Sequence, residues 1–274
     1  MTICGNQYHN WNMENANAVI DDIMQAGLQD RYTVVHIPPQ DETGWHSAIA
    51  QVKSIANPNA PVVLLKVQQY KRLNPREAFG LQVMSYCPGA IRSPELVEEG
   101  EVFTIQQLCP GTMLDSTIHS VPENYAEELG KLLAWQMFPP ADVQILLREK
   151  MAISKLEFYP NGQFPKRIVA TGTGEDVFLD DNERDNFKNI LSIPHIGFDK
   201  GDWRLSNTLY NASVQNELFY SIDYRYSYIV TKNEPHLFEK RAAVFDLMLH
   251  SFGEMFAKRM IGAFLEKAKA ALPR

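Results

Sequence analysis

The sequence predicts an α+β, bilobal protein: a small antiparallel sheet with one main helix over residues 1–108, then a larger, mostly helical lobe over residues 109–274. Three observations carry that expectation. Short apolar runs that alternate with polar residues crowd the first part of the chain, and longer helical patterns dominate the rest. Between them stands Cys109-Pro110-Gly111, a chain-breaking triplet suited to a hinge. With 274 residues, 45% of them apolar, the chain can bury one large core or two lobes sharing a cleft.

Taken in order, Asn15 to Ala26 has helical apolar spacing and precedes the sheet. Tyr32 to Ile37 reads as a strand that Pro38 and Pro39 end. Ser47 to Lys53 alternates as a second strand, and Asn57-Pro58-Asn59 makes a turn. Pro61 to Val67 is a third, richly apolar strand with Lys66 inside its run. An ammonium in a buried strand requires an anionic partner. Asn74-Pro75-Arg76-Glu77 reads as a helix start, with Asn74 as cap and Pro75 in the first turn, running to about Tyr86. Glu77 is placed to reach back to Lys66. Leu96 to Glu98, a Glu99-Gly100 turn and Val102 to Leu108 form a hairpin.

In the second lobe, Ser120-Val121-Pro122-Glu123 is a capping-box pattern. It opens a helix with Tyr125, Leu129, Leu132, Leu133 and Met137 along one side, closed by Pro139-Pro140. Asp142 to Ile153 and Asp180 to Leu191 read as helices, and Phe158 to Gly162 as a turn. A strand-loop-strand follows from Ile196 to Val230. Phe238 to Ala271 reads as strongly helical and amphipathic, with a Met, Phe and Leu stripe that is ordinary core.

Composition narrows the function. A formal charge of -7 and a sequence pI near 5.5 argue against nonspecific nucleic-acid or anionic-membrane binding and suit a cationic partner. Cys4, Cys87 and Cys109 are far apart, which suggests neither a disulfide framework nor a thiolate metal site and makes the cytoplasm the default. The seven histidines are scattered without ligand spacing. Met1 to Tyr8 has no basic-then-apolar leader pattern, and no stretch reaches the roughly 18 apolar residues of a membrane span, so a soluble, untargeted chain is expected. Nothing in the sequence sets the oligomeric state.

The chemistry centres on Lys200-Gly201-Asp202-Trp203-Arg204-Leu205-Ser206-Asn207 and on Asp223, which follows the strand Glu217 to Ile222. Phosphoryl transfer needs a carboxylate to orient the attacking hydroxyl, and an amide with a second carboxylate to hold the metal that shields the phosphate. Asp202, Asn207 and Asp223 supply those groups in that order. Acids at Glu175, Asp176, Asp180, Asp181, Glu183 and Asp185 either line a pocket for an amine-rich substrate or form a solvated helix face.

From Tyr32 to Leu249 the order of these pieces resembles the protein-kinase-like fold in its aminoglycoside-phosphotransferase branch. Val62 to Lys66 is similar to the strand carrying the nucleotide lysine, and Glu77 to its helix partner. Ser93 through Leu114 is similar to the family's hairpin, hinge and following Pro-Gly. Lys200 to Asn207 resembles the His-Gly-Asp-x4-Asn catalytic loop, and Ile222-Asp223-Tyr224 the Ile-Asp-aromatic metal motif. The resemblance implies ATP and Mg2+ as cofactors. Lys66 would meet the α and β phosphates with Glu77 fixing its rotamer, while backbone at Gln107, Leu108 and Cys109 would meet adenine. Asp202 would act as base or orienter, Arg204 would hold the γ-phosphate, and Asn207 with Asp223 would bind the metal.

Some residues depart from the family pattern. Lys200 stands where the family has His, so the bonding that braces the loop must be rebuilt. Pro39 to His46 has one glycine and two acids in place of a Gly-rich phosphate loop. Tyr224-Arg225 replaces Phe-Gly after the metal Asp, and no Ala-Pro-Glu follows, which favours a small-molecule kinase over a regulated protein kinase. The resulting expectation is a phosphotransferase acting on a hydroxyl of a small, aminoglycoside-like amine. The alternatives are a compact bacterial protein kinase, including a secreted effector, and a catalytically inactive kinase-like binding module.

Overall fold

The computed structural model describes residues 16–38, 47–68, 73–114, 121–122, 124–153, 181–201, 203, 205–211, 213, 218–231 and 237–272. In chain order the elements are α1 (Ala16–Ile23), β1 (Tyr32–His36), β2 (Ser47–Ser54), β3 (Val63–Gln68), α2 (Asn74–Met84), β4 (Ile91–Arg92), β5 (Leu96–Glu99) and β6 (Phe103–Gln107). Then follow β7 (Thr112–Met113), α3 (Asn124–Met137), α4 (Ala141–Ile153), α5 (Asp181–Ser192), β8 (Ile196–Asp199), β9 (Thr208–Asn211), β10 (Leu218–Ser221), β11 (Tyr228–Thr231), α6 (Leu237–Phe252) and α7 (Glu254–Ala271). Contacts divide the chain into two compact units: Met1–Ser85, Ser93–Pro110 and Ile222–Tyr226 in the first, and Tyr86–Arg92, Gly111–Ser221 and Ser227–Arg274 in the second.

The first unit is built on an antiparallel sheet in the order β1-β2-β3-β6-β5. Ala48, Ala50, Val52, Leu65, Val67 and Ile105 point to one face and pack against Ala16, Val19, Ile20 and Ile23 of α1. The helical pattern expected over Asn15 to Ala26 ends as α-helix at Ile23, and one wider π-type turn, Met24–Leu28, completes it. Because side chains alternate along a strand, placing Leu65 and Val67 in this core sends Lys66 to the opposite face. There α2 packs near β5 and β6. α2 is buried almost all round, including Asn74, Arg76 and Glu77.

The start of α2 corrects one expectation. Asn74 is not the cap: Leu73 occupies that position without a side-chain bond, and Asn74 Nδ2 donates to the Gly100 carbonyl at 2.7 Å. The half-buried Gly100 carbonyl in the β5–β6 turn takes the amide of Asn74, which turns the side chain away from capping the helix.

Among the described residues the second unit carries five helices and two small sheets, β4-β10-β9-β7 and β11-β8. β10 runs parallel to β4 and antiparallel to β9. α3 packs along α7 and also meets β8, so it buries Ala126, Gly130, Ala134, Trp135 and Gln136 besides the expected stripe. Gly130 permits this approach, since a Cβ there would lie 2.2 Å from the Met260 carbonyl oxygen. Phe187, Phe245 and Phe264 bring α5, α6 and α7 together with ring centroids 5.1–5.7 Å apart. The helical span expected from Phe238 to Ala271 is built as two helices, α6 and α7. Gly253, at φ 87°, turns the chain between α6 and α7 in a conformation that a residue with a side chain adopts only under strain. Ser120, Glu123 and Phe158 to Gly162 lie outside the described residues. Among the described residues no helix is long and apolar enough to cross a membrane.

Candidate active site

In the first unit the polar face of the sheet gathers around Lys66. The central strand β3 holds it between Ile49 of β2 and Thr104 of β6, and it is 7% exposed. Lys66 Nζ donates to Glu77 Oε1 at 2.9 Å and to Asp223 Oδ1 at 2.9 Å. Glu77 is fully buried on α2. Burial alone works to lower the Lys66 pKa, but the carboxylates of Asp223 and Glu77 outweigh it against opposition from Arg225, and hold it above its ordinary value. The ammonium therefore stays charged.

Asp223 takes φ 65°, the only left-handed non-glycine among the described residues. That conformation is strained for an ordinary side chain and persists when its surroundings over-determine it. Here two cations do so: Lys66 at Oδ1, and Arg225, whose Nη2 lies 2.8 Å from Oδ2. Arg225 Nη1 in turn donates to Ser47 Oγ at 3.2 Å, and Ser47 donates to Gln68 Oε1 at 3.0 Å.

The hinge residues close the same unit. Gln107 ends β6 and pairs with Val63 of β3, and its N–H donates to the Glu95 carbonyl across the hairpin at 2.8 Å. Leu108 and Cys109 follow as irregular chain, and burial pushes the Cys109 thiol up to about 12. The loop Pro39 to His46 lies outside the described residues.

In the second unit, β8 delivers the chain into the loop resembling the catalytic one. Gly197 allows β8 to lie against the end of α3, because a Cβ there would meet the Gln136 and Met137 carbonyl oxygens at 2.6 Å. Asp202 and Arg204 lie outside the described residues; their neighbours are held from both sides. Lys200, 1% exposed, donates from Nζ to the Asn207 carbonyl at 2.9 Å and to Ser221 Oγ at 3.0 Å. This is how the bracing is rebuilt without a histidine. Asn207, 9% exposed, ends a single 3-10 turn, Leu205–Asn207, and leads into β9.

Sequence reasoning missed Asp199, which organises this loop. Its Oδ1 accepts the Gly201 N–H at 2.8 Å and the Trp203 indole N–H at 3.0 Å, and its Oδ2 accepts the Tyr228 hydroxyl at 2.9 Å. Arg241 of α6 lies 3.0 Å from Oδ2, in charge contact but not aligned for a hydrogen bond. The only sequence signal was an acid ending an apolar strand. Arg225 and Ser47 were likewise not singled out as site residues.

The donor chemistry suits a hard divalent cation. Among the described residues no three acidic, histidine or cysteine side chains form a metal cage, and magnesium does not require one: it binds through one or two carboxylates plus phosphate oxygens. Asp223, fixed in place by its neighbours, is a carboxylate that could serve in this way.

No family model matches the chain, and no curated protein matches it in sequence. Solved structures do. A macrolide 2'-phosphotransferase of type I aligns over 94% of this chain and 83% of its own, with 12% identity and a TM-score of 0.50. A macrolide 2'-phosphotransferase from Brachybacterium faecium aligns over 93% and 83%, with 13% identity and a TM-score of 0.46. The ethanolamine kinase of Plasmodium vivax aligns over 96% and 88%, with 12% identity and a TM-score of 0.45. Together with the strand order and helices above, the first of these likenesses establishes that the chain has an α+β, protein-kinase-like fold.

Proposed function

We propose that this chain is an ATP- and Mg2+-dependent phosphotransferase that places the γ-phosphate on a hydroxyl of a small molecule. The observation that carries this reading is Lys66, buried and charged, held at 2.9 Å by both Glu77 and the strained Asp223. A buried lysine fixed by two carboxylates is poised to exchange one of them for phosphate oxygens without moving its stem. In this reading Lys66 binds the α and β phosphates, Glu77 keeps its rotamer, and the backbone from Gln107 to Cys109 receives the adenine. Asp223 and Asn207 hold the magnesium ion, which when bound screens the charge of the phosphate oxygens.

Asp202 orients the acceptor hydroxyl and takes its proton, and Arg204 holds the γ-phosphate. Asp199 and Lys200 set the backbone on either side of those two residues. Residues 1–108 serve the nucleotide, residues 109–274 supply the catalytic loop, the metal site and the acceptor pocket, and the cytoplasm is the place of action. The net charge of -7 favours a cationic acceptor of aminoglycoside-like chemistry.

The test is thermal unfolding with ATP and magnesium, followed by transfer of labelled phosphate to hydroxyl-bearing amines and to proteins. Saturating nucleotide at a hundred times its Kd is expected to stabilise the chain by about 2.7 kcal/mol. An unchanged melting temperature overturns the reading, and label found only on proteins overturns the acceptor class. One observation favours a second reading, an inactive nucleotide-binding module: both oxygens of Asp223 are already engaged by cations. Nucleotide binding with no transfer to any acceptor would select it.

A further inference from the structure

Building on the phosphotransferase reading, we propose that Arg225 is a resident counter-cation of the metal-binding carboxylate. Its guanidinium competes with the divalent ion for Asp223 and lowers the metal affinity of the site. Four charges meet in the first unit, Lys66 and Arg225 against Glu77 and Asp223, and they cancel before any ligand arrives. Arg225 Nη2 lies 2.8 Å from Asp223 Oδ2, and both side chains are only 11% exposed. Water therefore screens the pair weakly.

The guanidinium cannot leave by losing its proton, because arginine stays charged at every accessible pH. Nor is it loosely held: Nη1 donates to Ser47 Oγ, and Ser47 is itself anchored on Gln68. Among the described residues the buried Arg225 Nε has no acceptor, and Asp223 and Ser47 carry the polar contacts of the group. A divalent ion at Oδ2 thus meets a fixed positive charge. Each carboxylate oxygen has two lone-pair directions, so the metal is disfavoured but not shut out. Arg225 acts here on the metal site through Asp223, and it is a residue of this chain that the resembled Phe-Gly pattern does not contain.

The probe is Mn2+, titrated into the full chain with saturating nonhydrolysable ATP analogue, with free Mn2+ read by electron paramagnetic resonance. Arg225→Gln, which removes a fixed positive charge beside the carboxylate, is expected to bind Mn2+ about tenfold tighter than wild type. Arg225→Lys, which keeps a cation, should stay close to wild type, and Asp223→Asn should bind more weakly than either. A residue with a merely structural role would not raise metal affinity when removed. Equal or weaker Mn2+ binding by Arg225→Gln overturns the proposal. If that variant fails to fold, Ser47→Ala, which releases the guanidinium from its second anchor, should show a smaller tightening, and no change there overturns the proposal instead. Calorimetry of the analogue on the same samples separates the two readings. Wild type that binds no nucleotide overturns the phosphotransferase reading and this one with it, whereas nucleotide binding without the gain at Arg225→Gln overturns this one alone.

Discussion

Lys200 ties the two ends of its own loop together: its Nζ donates to the carbonyl of Asn207 at 2.9 Å while Ser221 Oγ of β10 accepts a second bond at 3.0 Å. The ammonium also sits 5.6 Å from the centre of the Trp203 ring. A residue that looks like a loss in the sequence motif is the brace of the loop.

Lys200→Met should leave the Asn207 carbonyl and the Ser221 hydroxyl buried and short of a donor. The expected loss is about 1–3 kcal/mol of stability, read as a lower midpoint in urea with unchanged slope.

Asp199 and Arg241 form a pair buried at 4% and 1% exposure. Removing one charge strands the other, so Asp199→Ala should lose about 3–5 kcal/mol. The double variant Asp199→Ala with Arg241→Met should recover part of that loss, measured as a coupling energy in a double-mutant cycle. Strict additivity would show that the pair contributes no mutual stabilisation.

Gly130→Ala ordinarily gains about 1 kcal/mol in a helix interior. Here the new Cβ would lie 2.2 Å from the Met260 carbonyl oxygen and 3.0 Å from the Phe264 nitrogen, both backbone atoms that cannot rotate aside. Overpacking of about 1–3 kcal/mol decides the sign. The variant should melt below wild type.

His195 gives the fold an acid-sensitive point. Burial holds its pKa below 6.5; the Ile193 carbonyl, 2.6 Å from Nδ1, pulls the other way, and Arg241 adds to the lowering. The folded value lies below the unfolded one, so the contribution of the neutral ring is complete above pH 6.5 and is lost as the pH falls from there through the folded pKa. Wild type should therefore lose stability below pH 6.5 more steeply than His195→Gln, with unfolding midpoints compared across the same pH series.

How much of this could be read from the sequence depends on the reach of each interaction. The Lys66–Glu77 pair is readable because an ammonium inside an apolar strand demands an acid, and Glu77 is the first acid of the next helix. The strands of the first sheet are readable within a residue or two, since alternation or an apolar run bounded by turn residues is a strong local signal. β4 and β7 are two residues long and have no period to detect. The Asp199–Arg241 contact joins a strand end to a helix with no local cue, so only the fold reveals it. Asn74 satisfies every local rule for a cap, and a distant carbonyl claims it. Gly253 sits inside a long Met, Phe and Leu pattern, and a single glycine does not announce φ 87°. Asp202 and Arg204 lie outside the described residues.

The packing of α3 on α7 carries a consequence for biogenesis. Gly130 and Met260 touch, yet the ribosome makes them far apart in time. While the intervening chain is being translated, the greasy flank of α3 waits without its cover, a hazard for self-association and a natural target for holding chaperones. Closure of the second unit is a long-range event, and its folding rate is bound to the arrival of that distant helix.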